Sequence, residues 1–297
     1  MSVAEEITRI KEAKENLKTS INAKLSDSQT KITDELISSY STFVDNIEGG
    51  VNINDYFITE GLTYSKYKLL HLIKTCPLID MTGITDMSGM FNDCISLTTI
   101  PLLDTSNITN MNSMFSGCSS LIEIPLLNTS KVTTTSNMFL QCRSLTTIPL
   151  LDTSNVTNTN QMFWNCFFLT EVPLLNLSKV TNLAAMFYNC THLKAVPSFD
   201  LSSATHIFQM FSACEMLETV PEFNCPNVIN ASNMFQSCSS LTEQSLNNIL
   251  GTCITMTKIS SSNKTLKYIG LTSSQATTCE GLSNYQAFLD AGWTTGY

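Results

Sequence analysis

The stretch LDTSNVTNTNQMFWNCFFLTEVP, Leu151 to Pro173, decides the fold because the chain repeats it. Its Met-Phe pair starts at Met90, Met114, Met138, Met162, Met186, Met210 and Met234, always 24 residues apart and without insertion. A cysteine follows at a constant offset, at Cys94, Cys118, Cys142, Cys166, Cys190, Cys214 and Cys238. Three residues on stand Leu97, Leu121, Leu145, Leu169, Leu193, Leu217 and Leu241. Then come Ile100, Ile124, Ile148, Val172, Val196 and Val220, each followed by proline. A fixed period of this length is the mark of a solenoid: one repeat cannot bury its apolar face alone, but stacked repeats share a continuous core.

Within a repeat, the apolar alternation around L-x-x-[IV]-P and S-x-[VI]-T is too short for a helix and predicts brief extended segments. Proline is tolerated at the close of the first because it ends strand pairing. Coils joined by strand pairing rise roughly 4.7–4.9 Å each, so seven would make a stack on the order of 35 Å long. The expected architecture is a β-rich, right-handed leucine-rich-like solenoid over residues 77–245. A helical arm (1–48) and an N-terminal cap (49–76) precede it, and a mixed α/β cap (246–297) follows.

These repeats resemble the BspA-like leucine-rich-repeat family, including the branch common in mycoplasma lipoproteins, over about residues 77–245. The resemblance implies a right-handed solenoid used for adhesion or recognition, with no enzyme activity attached to the repeats. The flanks EEITRIKEAKENLKTSINAK, NDYFITE and GLTSSQATTCEGLSNYQAFLDAGWTTGY are similar to proteins of gut Firmicutes and their phages, commonly tail- or virion-associated.

The composition agrees with ladders of neutral polar residues: 43% of the chain is hydrophobic and only 14% charged. A net charge of −9 disfavours a phosphate backbone as partner, since such binding rests on clustered Lys and Arg. No run of about 18 apolar residues predicts a membrane span, and the N-terminus MSVAEEITRIKEAKENLK lacks the apolar core of an export signal.

Seven of the eleven cysteines form one ladder, one per coil, which assigns them to packing. Parallel side-chain vectors disfavour disulfides between neighbours. There is no C-x-x-C pair for zinc. His71, His192 and His206 sit in no nucleophile motif, and no glycine-rich phosphate loop is present. No catalytic residue, metal or cofactor is therefore assigned. At the Asp104, Asn128, Asp152, Asn176, Asp200 and Asn224 positions, carboxylate and amide alternate. Alternation keeps like charges from stacking and is expected to set Lys131 and Lys179 diagonally near an aspartate of the neighbouring coil.

The arm carries a heptad-like seam of Val3, Ile7, Ile10, Leu17 and Ile21, interrupted by Lys14. It reads either as an oligomerisation and virion-docking element or as a hairpin packed on the first coil. A second helix is expected after Ser28, with Ile32, Leu36, Tyr40, Phe43 and Ile47, ending at Gly49-Gly50. At the other end LTEQSLNNIL reads as helical and KTLKYIGL as extended, followed by two short helices with Thr272 and Ser283 as N-caps and Gly292 closing the second.

Most coils follow Met-Phe and Cys with small polar residues, as in SGCSS (Ser116 to Ser120). The central coils instead place Leu140 and Arg143, then Trp164, Phe167 and Phe168, then Tyr188 and His192 there. Equivalent positions stack, so these residues are expected to make one patch: a ligand site, a subunit interface, or rings folded over the coil edge. The leading functional expectation is a non-enzymatic phage virion protein that binds a host-surface protein or glycan. Its arm would contact other virion proteins or sister copies. A bacterial surface adhesin and a purely architectural virion component are the alternatives.

Overall fold

The structure, a computed structural model, describes residues 51–52, 79–81, 83–260 and 267–295. The heptad residues Val3, Ile7, Ile10, Leu17 and Ile21, and most of the 49–76 cap, lie outside the described residues. From Met81 onward the chain winds as a leucine-rich-repeat-like solenoid of 24-residue period. The expected strands are almost absent. Among the described residues only β1 (Val51–Asn52) and β2 (Ile79–Asp80) are strands, paired in parallel with Val51 opposite Ile79. The full coils show single-residue parallel bridges, including a column running Asp86, Asn110, Thr134, Asn158, Asn182, His206 and Asn230.

The reason lies around Met-Phe, where the chain turns instead of extending. Inside a coil, amides bond three residues back, as Met114 to Met111 (3.2 Å) and Ser116 to Ser113 (3.1 Å). Between those, alternate amides bond forward to the next coil: Met111 to Thr134, Ser113 to Ser136, Phe115 to Met138 and Gly117 to Leu140. The alternation requires a left-handed residue before Met and another before Cys. Gly89 and Gly117 take two of these positions, and non-glycine residues with φ between 52° and 62° take the other twelve. Each left-handed residue costs about 1–2 kcal/mol unless glycine holds it, less for Asn or Asp. The amides that these residues donate to the next coil offset that cost, so the conformation depends on stacking.

The core is a set of columns. The rings of Phe91, Phe115, Phe139, Phe163, Phe187, Phe211 and Phe235 stack with centroids 5.4–5.6 Å apart. Beside them run the buried Met, Cys and Leu columns. Each ladder thiol from Cys118 to Cys238 donates to the phenylalanine carbonyl of the preceding coil, as Cys166 Sγ to Phe139 O at 3.1 Å. The Thr133, Thr157, Thr181 and Thr205 hydroxyls each donate to the carbonyl of the threonine one coil earlier. After Pro101, Pro125, Pro149 and Pro173, two leucines part ways. Leu103, Leu127, Leu151 and Leu175 are buried, whereas Leu102, Leu126, Leu150 and Leu174 are 61–70% exposed.

The alternating carboxylate and amide positions are Asx turns: Asp104, Asn128, Asp152, Asn176 and Asp200 each accept the amide of the serine two residues on. The expected diagonal Lys–Asp contact is not made. Lys131 Nζ bonds Asn107 Oδ1 (2.9 Å) and Lys179 Nζ bonds Asn155 Oδ1 (2.8 Å), because those amides stand directly one coil below. The serine bonds hold the Asp104 and Asp152 carboxyls below the usual range, and the two lysines add a smaller through-space pull.

The last coil is closed by α1 (Glu243–Thr255), α2 (Ser273–Cys279) and α3 (Tyr285–Asp290). Hydroxyls of α1 take over the work of the missing coil: Ser245, Thr252 and Thr255 accept the Val220, Phe223 and Cys225 amides. Tyr268 and Ile269 accept the Asn233 and Phe235 amides that would otherwise bond forward. Thr272 caps α2 in a reciprocal capping box with Gln275. The N-cap of α3 is Asn284, not Ser283, whose hydroxyl is engaged with Asn247 instead. Gly292 follows the C-cap Ala291 with φ 81°.

Candidate functional site

The turn segment that carries Met-Phe also positions the surface of the central coils. Leu140, Trp164 and Tyr188 are the residues two after each Met, and their carbonyls accept the Gly117, Gln141 and Asn165 amides at 2.7–2.9 Å. Their backbone is thereby held against the preceding coil. Trp164 and Tyr188, both half-buried, have ring centroids 4.6 Å apart and tilted by 39°. Phe168, 50% exposed, packs on the His192 ring at 4.9 Å. The exposed Arg143 guanidinium lies 5.7 Å from the Phe167 ring centroid, within cation–π range.

Six of the seven predicted residues therefore meet in ring contacts that each cross one coil boundary. Leu140, half-buried, heads the Trp164–Tyr188 column. The Phe167 carbonyl fixes the neighbouring coil: it accepts the His192 amide (3.1 Å), faces His192 Nδ1 at 2.8 Å and accepts the Thr191 hydroxyl (3.2 Å). A carbonyl has no proton to give, so Nδ1 is the donor in this contact. Met216, 38% exposed, continues the Phe168–His192 column one coil further. Sequence reading missed it, although the 24-residue step from His192 leads straight to it.

The thiols beside this surface are poor nucleophiles. Desolvation raises Cys142, Cys166, Cys190 and Cys214 well above the ordinary thiol value, and pushes Cys225 and Cys238 up to about 12. Ten described cysteines are free and buried. Among the described residues, no group of three or more His, Cys, Asp and Glu side chains is placed to hold a metal ion, and no helix is long and apolar enough to cross a membrane.

Stacked 24-residue coils around a shared phenylalanine column define a leucine-rich-repeat-like solenoid. The chain belongs to the family described as Mycoplasma protein of unknown function, DUF285, whose model matches residues 74–172 and 166–268. Proteins of this repeat type are typically non-catalytic. The chain is also similar to the solved leucine-rich-repeat protein of T. pallidum (TpLRR), at 20% identity, covering 60% of this chain and 81% of that one with a TM-score of 0.46. No curated protein matches it.

Proposed function

We propose that this protein is a non-enzymatic recognition scaffold that binds a host cell-surface ligand, protein or glycan, through the ring and arginine surface of its third to fifth coils. The carrying observation is that Trp164–Tyr188, Phe168–His192 and Arg143–Phe167 pair across consecutive coils at positions where serine is the commonest residue in the other coils. Exposed aromatic clusters mark interaction sites, and rigid rings beside an arginine suit a hot spot or a sugar face. The setting we propose is a phage virion, with the solenoid as part of a tail or fibre and the arm as its attachment. The likeness of the flanking sequences to tail- and virion-associated proteins supports that setting.

The test is the double substitution Trp164→Ser and Phe167→Ser, which installs the residue type found at Ser116 and Ser119. Melting should move by only a few degrees, because other coils fold with serine there. Binding to host envelopes should fall at least about tenfold, the effect of each 1.4 kcal/mol lost from a central contact. Envelopes stripped of glycan or treated with protease then separate the two ligand classes. Unchanged binding, or a collapse in melting temperature, would place these rings in the packing and not in recognition.

A further inference from the structure

The leucines that follow the prolines form a second apolar surface that the recognition patch does not use. Leu102, Leu126, Leu150 and Leu174 are each 61–70% exposed and stand one per coil. The column stops there, for the next two positions are Ser198 and Glu222. With neighbouring phenylalanine rings 5.4–5.6 Å apart, four such leucines span roughly 16 Å, and their spacing matches the 5.4 Å pitch of an α-helix. A helix laid along the stack with one apolar residue per turn would set one side chain against each leucine.

We propose that the occupant is the chain's own segment 29–47. Its sequence places Ile32, Leu36, Tyr40 and Phe43 at spacings of four, four and three, which is one apolar residue per helical turn. At 1.5 Å per residue, Ile32 to Phe43 covers about 16 Å, the length of the leucine column. The tether also ends in the right place. β1 begins at Val51 and pairs with Ile79, which precedes the buried Leu103 by 24 residues. By that register Val51 lies two coils ahead of Leu103 in one column, so the chain that precedes it approaches from the Leu102 end of the stripe. Gly49-Gly50 supplies the joint, where the absence of Cβ lets the chain change direction. Joined there, the segment meets the stripe at the high effective concentration of an intramolecular contact. The docked segment covers an apolar strip whose exposure would invite association.

The experiment uses the full chain with Leu126→Cys as a reporter, since the described native thiols are buried. Alkylation of position 126, read by peptide mass, should run about tenfold slower than in the same chain carrying Leu36→Ser and Tyr40→Ser; that factor corresponds to about 1.4 kcal/mol of docking free energy. The slow rate should persist on hundredfold dilution. Equal rates in the two chains would overturn the proposal. Protection that fades with dilution would also overturn it, because the cover would then be a second copy.

Discussion

Cys166 shows why one residue type recurs at one place in every coil. Its buried thiol, in the column beside the phenylalanine rings, donates to the Phe139 carbonyl, which also accepts the Cys142 amide. A larger donor would not fit and a methyl group would leave that bond unmade. The ladder thiols should therefore resist alkylation in the folded protein and react together once denaturant unfolds it; stoichiometric labelling without denaturant would contradict their burial. The raised folded values of buried thiols inside and outside the ladder also fix a pH dependence. A group that binds its proton more tightly when folded stabilises in full below its unfolded value, here 9.0, and loses that contribution as pH climbs through the folded one, about 12 for Cys225 and Cys238. Melting temperature should accordingly fall steadily above pH 9, and a flat profile to pH 11 would contradict this. Gly117 is the second residue with a sharp expectation. Its φ is +78°, and a Cβ there would come within 2.3 Å of Asp93 Oδ1 and 3.1 Å of Asp93 Cα. Gly117→Ala should cost about 1–2 kcal/mol, the penalty for a left-handed residue without glycine, read as a lower denaturation midpoint at constant slope. The sequence hides this requirement, because only two of the fourteen left-handed positions are glycine and several are held by residues such as Gln141, Ala185 and Ala213 that announce no turn.

At the level of elements, α2 was legible down to its cap because it carries its own local signal, whereas the cap of α3 was misplaced by one residue. Thr272 and Gln275 stand three apart before an amphipathic run, and the structure shows both bonds of the capping box. Thr272→Ala should cost about 1 kcal/mol, most visibly as faster amide exchange in Ser273–Cys279. Unchanged exchange would mean that Gln275, bonded to the Cys238 carbonyl, holds the helix by itself. The coils were misread as β-rich for a definite reason. An alternating apolar pattern tells which residues face the core and not how the backbone gets from one to the next. Around Met-Phe it does so by turns stabilised by the next coil, an interaction that no single repeat displays. The same limit hid the exposed leucines: Leu150 and Leu151 are identical in type, yet one is 61% exposed and its neighbour 2%.

For the molecule as a whole, the period of 24 was legible in full and carried with it the phenylalanine, cysteine and leucine columns. The patch was legible by difference. Arg143, Trp164, Phe167, Phe168, Tyr188 and His192 depart from the residues most sister coils use, and stacking equivalent positions brings them together in pairs. Its extension to Met216, and the bonds that fix His192, needed the geometry. Because each coil touches chiefly its neighbours, a solenoid should survive the loss of one whole coil if the register is kept. Two in-frame deletions of 24 residues, Asn110–Thr133 and Asn158–Thr181, thus test directly the claim that identical coils fold while particular side chains recognise. Both shortened proteins should melt cooperatively. The first, which retains Arg143, Trp164, Phe167, Phe168, Tyr188 and His192, should bind host envelopes like the full chain, and the second, which lacks Trp164, Phe167 and Phe168, should not. Equal binding by the two deletions would contradict the account.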